Sequence, residues 1–119
     1  MKQFMNAKES LVTEAIDGTL RTAGGRLARL DGYPHIKVVV RTDWDKSKVA
    51  LVSGGGSGHE PSHAGFVGQG MLTAAVCGEV FASPSVDAVL AGILAVTGAA
   101  GCLLTVSYTH LTLPTTTIV

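Results

Sequence analysis

The sequence predicts an α/β layer fold built on a parallel sheet, and three observations point there. Short apolar, β-branched runs recur at Ile36-Lys37-Val38-Val39-Val40-Arg41, at Lys48 to Val52 and at Gly101 to Val106. Stretches with helical spacing lie before and between them, and strand, helical crossover, strand is the order of parallel units. A glycine run, Ser53-Gly54-Gly55-Gly56-Ser57-Gly58, directly follows the middle strand, as at ligand sites of open α/β sheets. With 119 residues the chain holds at most one domain.

In chain order, Asn6 and Glu9 are spaced as a capping pair. Leu11, Val12, Ala15, Ile16, Thr19 and Leu20 then form one helical stripe, which Gly24-Gly25 should end. Arg26 to His35 is polar and mixed, and Thr42 to Ser47 reads as a loop in which Trp44 is a packing anchor. Lys8, Lys37, Lys46 and Lys48 read as solvated charges. Met71 to Val76 is equally compatible with helix and strand, and Glu79 to Ala82 with a short strand or an extended connection. Ser83-Pro84-Ser85-Val86-Asp87 marks a helix start, with a Ser cap, Pro in the first turn and a carboxylate at the positive end of the dipole. Val86, Val89, Leu90, Ile93, Leu94 and Thr97 should form its buried face, and Gly98 its stop.

Nine basic and nine acidic residues balance, so nothing suggests a nucleic-acid surface. Cys77 and Cys102 sit in apolar surroundings without metal-ligand spacing and read as reduced packing residues. The N-terminus lacks the apolar core of a signal peptide. Val86 to Val106 is interrupted by Gly92, Thr97, Gly98 and Gly101 and reads as helix plus strand, not a membrane span. The expected location is cytoplasmic.

Three chemistries compete for the glycine run. A nucleotide P-loop requires Lys then Ser/Thr after the last glycine, whereas here His59-Glu60 follows. A zinc-dependent hydrolase is the second, since His59-Glu60-x-x-His63 satisfies the H-E-x-x-H pattern. That pattern works only on a continuous helix, and Pro61 opposes one. The third is a small polar substrate held by backbone amides, with His59 as proton acceptor. His63 suits a hydrogen-bonded role, either structural or in support of a residue that meets the ligand; Glu60 suits a turn cap or a partner orienting His59, the cap being favoured; and His35, beside Pro34, suits the surface.

Beyond these readings, Ser53 to Pro61, with Gly65-Phe66-Val67-Gly68-Gln69-Gly70-Met71-Leu72 and Cys77-Gly78-Glu79-Val80-Phe81-Ala82-Ser83-Pro84, closely resembles the substrate-binding K domain of dihydroxyacetone (glycerone) kinases. The likeness runs from the first helix to about Val106. It implies an α/β fold and phosphoryl transfer to dihydroxyacetone, giving dihydroxyacetone phosphate. Residues matching Gly56, Ser57, Gly58 and His59 would contact the substrate, and His59 would take the proton of the attacking hydroxyl. The resemblance also implies a donor, ATP-Mg or a phosphotransferase-linked ADP, held by a separate helical L domain in cis or in trans. No cofactor or metal would sit on this segment, and a full-length relative would be a homodimer. The wording of residues 74–87 is closer to the single-chain ATP-dependent kinases.

The likeness stops sharply. Where the family carries Lys-Asn-Tyr-Thr-Gly-Asp, completing the site, this chain has Ser107-Tyr108-Thr109-His110-Leu111-Thr112. The family's second histidine, which binds the ketone covalently, has no counterpart here. Residues 1–106 are therefore expected to be the N-terminal part of a K-type domain, and 107–119 a non-native tail resembling translated adaptor sequence. On that expectation the segment alone would be catalytically silent.

Overall fold

The computed structural model describes residues 6–30, 32, 36–57, 63–80 and 82–106. Five strands form one sheet in the order β1-β2-β4-β3-β5: β1 (Leu27–Arg29), β2 (Lys37–Arg41), β3 (Ala50–Ser57), β4 (Ala74–Val80) and β5 (Cys102–Val106). The α/β layer expectation holds, but the sheet is mixed rather than wholly parallel. β3, β4 and β5 run parallel, whereas β2 pairs antiparallel with both β1 and β4. β1 and β2 are joined by a short connection, which suits antiparallel pairing, while the parallel pairs are joined by longer crossovers.

Helices cover the two faces. α1 (Leu11–Thr22) buries Val12 and Ile16 against Val39, Ala75 and Cys77. α2 (Val86–Val96) packs Ala88, Val89 and Val96 on Val38, Ala50, Val52, Ala74 and Val76. Neighbours along a strand thus serve opposite cores, Val38 one and Val39 the other, as a period of two requires.

Local chemistry moved several boundaries. Asn6 donates to the Glu14 carboxylate at 3.2 Å rather than pairing with Glu9, and a 3-10 turn at Lys8–Ser10 leads into α1. The cap of α2 is Ser85, not Ser83: its Oγ accepts from the Ala88 amide at 3.1 Å, so Pro84 precedes the cap. Val86, Leu90 and Leu94 of α2, expected inside, are exposed. This helix is apolar all round, so hydropathy could not select its inner stripe. Gly92 selects it, since a Cβ there would come within 2.6 Å of Val76 Cγ2. Trp44 does anchor its loop, donating from Nε1 to the Val96 carbonyl at 2.7 Å and packing beside the α2 core. Among the described residues no helix is long and apolar enough to cross a membrane.

The largest departure concerns the glycines. The apolar run does not hand over to a loop at Ser53; β3 continues through Gly54, Gly55 and Gly56 to Ser57. None of these three glycines has positive φ. What Gly54 supplies is closeness, because a Cβ at that position would lie 2.6 Å from the Val76 carbonyl oxygen on β4.

Gly54→Ala should therefore destabilise the chain by about 1–3 kcal/mol through forced separation of β3 from β4. Gly18→Ala, in α1 with nothing within 4 Å of the added methyl, should stabilise it by about 0.5–1 kcal/mol. Urea unfolding midpoints of the two variants check this, and an unchanged midpoint for Gly54→Ala would contradict the close-approach account.

Candidate functional site

Because β3, β4 and β5 are parallel, their carboxyl ends gather at one edge of the sheet, where open α/β sheets bind ligands. Gly56 and Ser57 lie there, both buried. Antiparallel β2 brings Lys37 to the same edge, opposite Cys77, and α2 begins beside it. A hollow of about 300 Å³ between Lys37, Gly78, Glu79 and Ser85 marks this corner.

β3 is paired on both sides as far as Gly54, which faces Val76 of β4 and Val106 of β5. Beyond it, Gly55 and Ser57 keep partners on β4 alone among the described residues, and the register shifts between them.

Ser57 is 3 % exposed, and its Oγ donates to the Gly78 carbonyl at 2.8 Å, fastening β3 to β4 beyond the register shift. That proton is committed, so the Ser57 hydroxyl can meet a ligand only as an acceptor. Gly78 must be glycine, since a Cβ would fall 2.0 Å from the Ala82 carbonyl oxygen. Lys37, expected to be a solvated charge, has a side chain only 11 % exposed and pairs with Glu79. Its place at the head of a β-branched run was the available signal.

Gly58, His59 and Glu60 lie outside the described residues, as do His35, Pro61 and the tail 107–119. His63 is described and is far from helical, at φ 60° and ψ −79°, close to the centre of a γ-turn. Such a backbone costs an L-residue about 1–3 kcal/mol. The imidazole is 8 % exposed, with Nδ1 3.4 Å from Ser53 Oγ, so the hydrogen-bonded structural role expected of it holds. The same dihedrals oppose the zinc alternative, which needs His63 in helical backbone as the second ligand of an i, i+4 pair. Among the described residues no three His, Cys, Asp or Glu side chains converge on a metal position.

Resolved charge effects lie at the opposite edge. The Arg41 guanidinium, donating to Asp43 at 2.8 Å, holds that carboxyl below its ordinary range, and hydrogen bonding from Ser47 does the same for Asp45. Both carboxylates are exposed although the Arg41 side chain is largely covered, and both pairings bear on the loop after β2 rather than on the glycine end.

The Dak1 domain family matches residues 19–110. This chain belongs to the Dak1 domain family. Over 104 residues it is 62 % identical to a dihydroxyacetone kinase of Citrobacter freundii, a match covering 87 % of this chain and 19 % of the relative. It is 46 % identical over 106 residues to the dihydroxyacetone-binding subunit DhaK of a PTS-dependent dihydroxyacetone kinase of Listeria innocua, covering 89 % of this chain and 31 % of that subunit. The crystal structure of the C. freundii kinase in complex with AMP-PNP and Mg²⁺ superposes with a TM-score of 0.82 at 60 % identity, covering 87 % of this chain and 19 % of that one. The chain thus spans between a fifth and a third of the length of these relatives. The Dak1 match takes in the whole of β3, β4, α2 and β5, so the glycine end of β3 lies inside the shared fold.

Two measurements test the site as built. Ser57→Ala should cost about 1–3 kcal/mol, since it strips the buried Gly78 carbonyl of its donor; urea unfolding reads this, and no change would mean that carbonyl finds another donor. Metal analysis of the purified chain should find no stoichiometric zinc, and one zinc per chain would restore the hydrolase alternative.

Proposed function

We propose that this chain is the N-terminal part, residues 1–106, of a substrate-binding domain in an enzyme that phosphorylates dihydroxyacetone to dihydroxyacetone phosphate, with 107–119 a non-native tail. The observation that carries the proposal is the carboxyl end of β3, where Gly54 to Ser57 are buried at the parallel edge of a sheet shared with dihydroxyacetone kinases.

Dihydroxyacetone offers only oxygens for recognition, and main-chain amides suit such a ligand. In this proposal Gly56, Ser57 and Gly58 hold the triose by their backbone, and the Ser57 hydroxyl, already donating to Gly78, keeps the strand end from shifting. His59 accepts the proton of the hydroxyl that attacks the phosphorus. Phosphoryl transfer depends on alignment and charge stabilisation more than on covalent work by the protein, so a fixed backbone cradle and one base are an apt division of labour.

In this proposal no step runs through ATP-Mg on this segment, whose Gly54 to Ser57 form a strand rather than a phosphate loop. The donor, ATP-Mg or a phosphotransferase-linked ADP, would come from a helical L domain in cis or in trans, the complete protein being a cytoplasmic homodimer.

In a longer protein carrying this segment, His59→Ala should lower kcat for dihydroxyacetone phosphorylation about 10²- to 10⁴-fold, the usual worth of a positioned base, with a smaller change in KM. A coupled assay for dihydroxyacetone phosphate reads this. Wild-type turnover in the variant would take the base role from His59, and no turnover by the unaltered protein with either donor would end the functional proposal.

A further inference from the structure

We infer that Ser53 and His63 act as a positioning pair for the ligand-facing end of β3, an inference that rests on the functional proposal above. Ser53 is the residue before the glycines and is clamped in the sheet centre, opposite Ala75 of β4 on one side and Thr105 of β5 on the other. Its hydroxyl lies 3.4 Å from His63 Nδ1, ten residues further along the chain. The stretch carrying every proposed substrate contact therefore begins and ends at one side-chain contact.

Three further features set this contact apart from ordinary packing. First, His63 keeps an imidazole at φ 60° and ψ −79°, where glycine would sit with less strain. A residue held against local preference implies that its side chain is needed. Second, the chain after His63 is itself tied down. Its carbonyl accepts from the Phe66 amide at 2.9 Å, and the Phe66 carbonyl accepts from Leu72 at 2.9 Å. The Thr73 amide then returns to the Leu51 carbonyl at 2.8 Å, so His63 is referred back to β3 two residues from Ser53. Third, His63 and Ser53 line one shallow apolar hollow of about 420 Å³ with Leu51, Phe66, Met71 and Leu72, and His63 is itself buried there.

The physical effect of such a pair is on the ends of a loop. Fixing both ends removes conformations in which the backbone amides and the base are misplaced, and displacement by about 1 Å can cost about 10²-fold in rate. Ser53 and His63 would act without touching the triose, which separates them from Gly56, Ser57, Gly58 and His59.

The test is a double-mutant cycle in a longer protein carrying this segment, with hydrogen exchange on the 119-residue chain beside it. Ser53→Ala and His63→Ala should each lower kcat about tenfold with KM little changed, and the double variant should be no slower than the worse single. His63→Asn, which keeps a side-chain hydrogen-bonding group, should recover most of the loss. Losses that multiply, or that fall on KM alone, would overturn the pair. In the short chain, exchange at Gly55, Gly56 and Ser57 should quicken about tenfold in both single variants and no further in the double. Unchanged exchange would also overturn it. Absence of dihydroxyacetone turnover in the unaltered protein would count against the functional proposal only, since exchange decides the pair by itself.

Discussion

The molecule depends on the unusually close approach of two backbones, β3 and β4, at Gly54. With no Cβ between them, the strand carrying the glycines lies close against the Val76 carbonyl, and Gly92 of α2 likewise settles over the Val76 side chain. Three elements, two strands and a helix, meet around one valine that is 1 % exposed. Close-packed interiors transmit any added volume, so this column ties the position of the strand end to that of the helix.

From that contact the site edge follows. Once β3 and β4 are locked in parallel, Ser57 reaches Gly78, and the chain beyond Gly78 must turn within van der Waals distance of Ala82 and Pro84 before α2 starts at its Ser85 cap. Antiparallel β2 then delivers Lys37 to the same corner, paired with Glu79. Polar groups at this end are mostly bonded to one another, and such a network fixes geometry more than it adds stability.

Fixed geometry is what phosphoryl transfer to a small triose would ask of this segment. A ligand with few handles gains orientation only if its partners are already in place, and backbone amides of a buried strand end are among the least movable donors a protein has. Strain at His63, burial of its ring and its link to Ser53 belong to the same economy of motion.

The sequence by itself determined the α/β class, the helix before the first strand and the helix after Pro84, and it supplied the stretch proposed as the site. Spacing and composition encode those, and the glycine-histidine wording made the kinship legible. It also marked Trp44 as an anchor and His63 as structural. Tertiary structure alone decided that β2 runs antiparallel, that Ala74 to Val80 is a strand, and which stripe of an all-apolar helix faces inward. It also decided that Gly54 to Gly56 are strand residues whose worth is closeness rather than positive φ. The reason is common to all four. A run such as Met71 to Val76 satisfies helix and strand equally, and a glycine permits both a turn and a tight crossing. Only the neighbour that arrives from elsewhere in the chain, here Val76 against Gly54 and Gly92, selects between them.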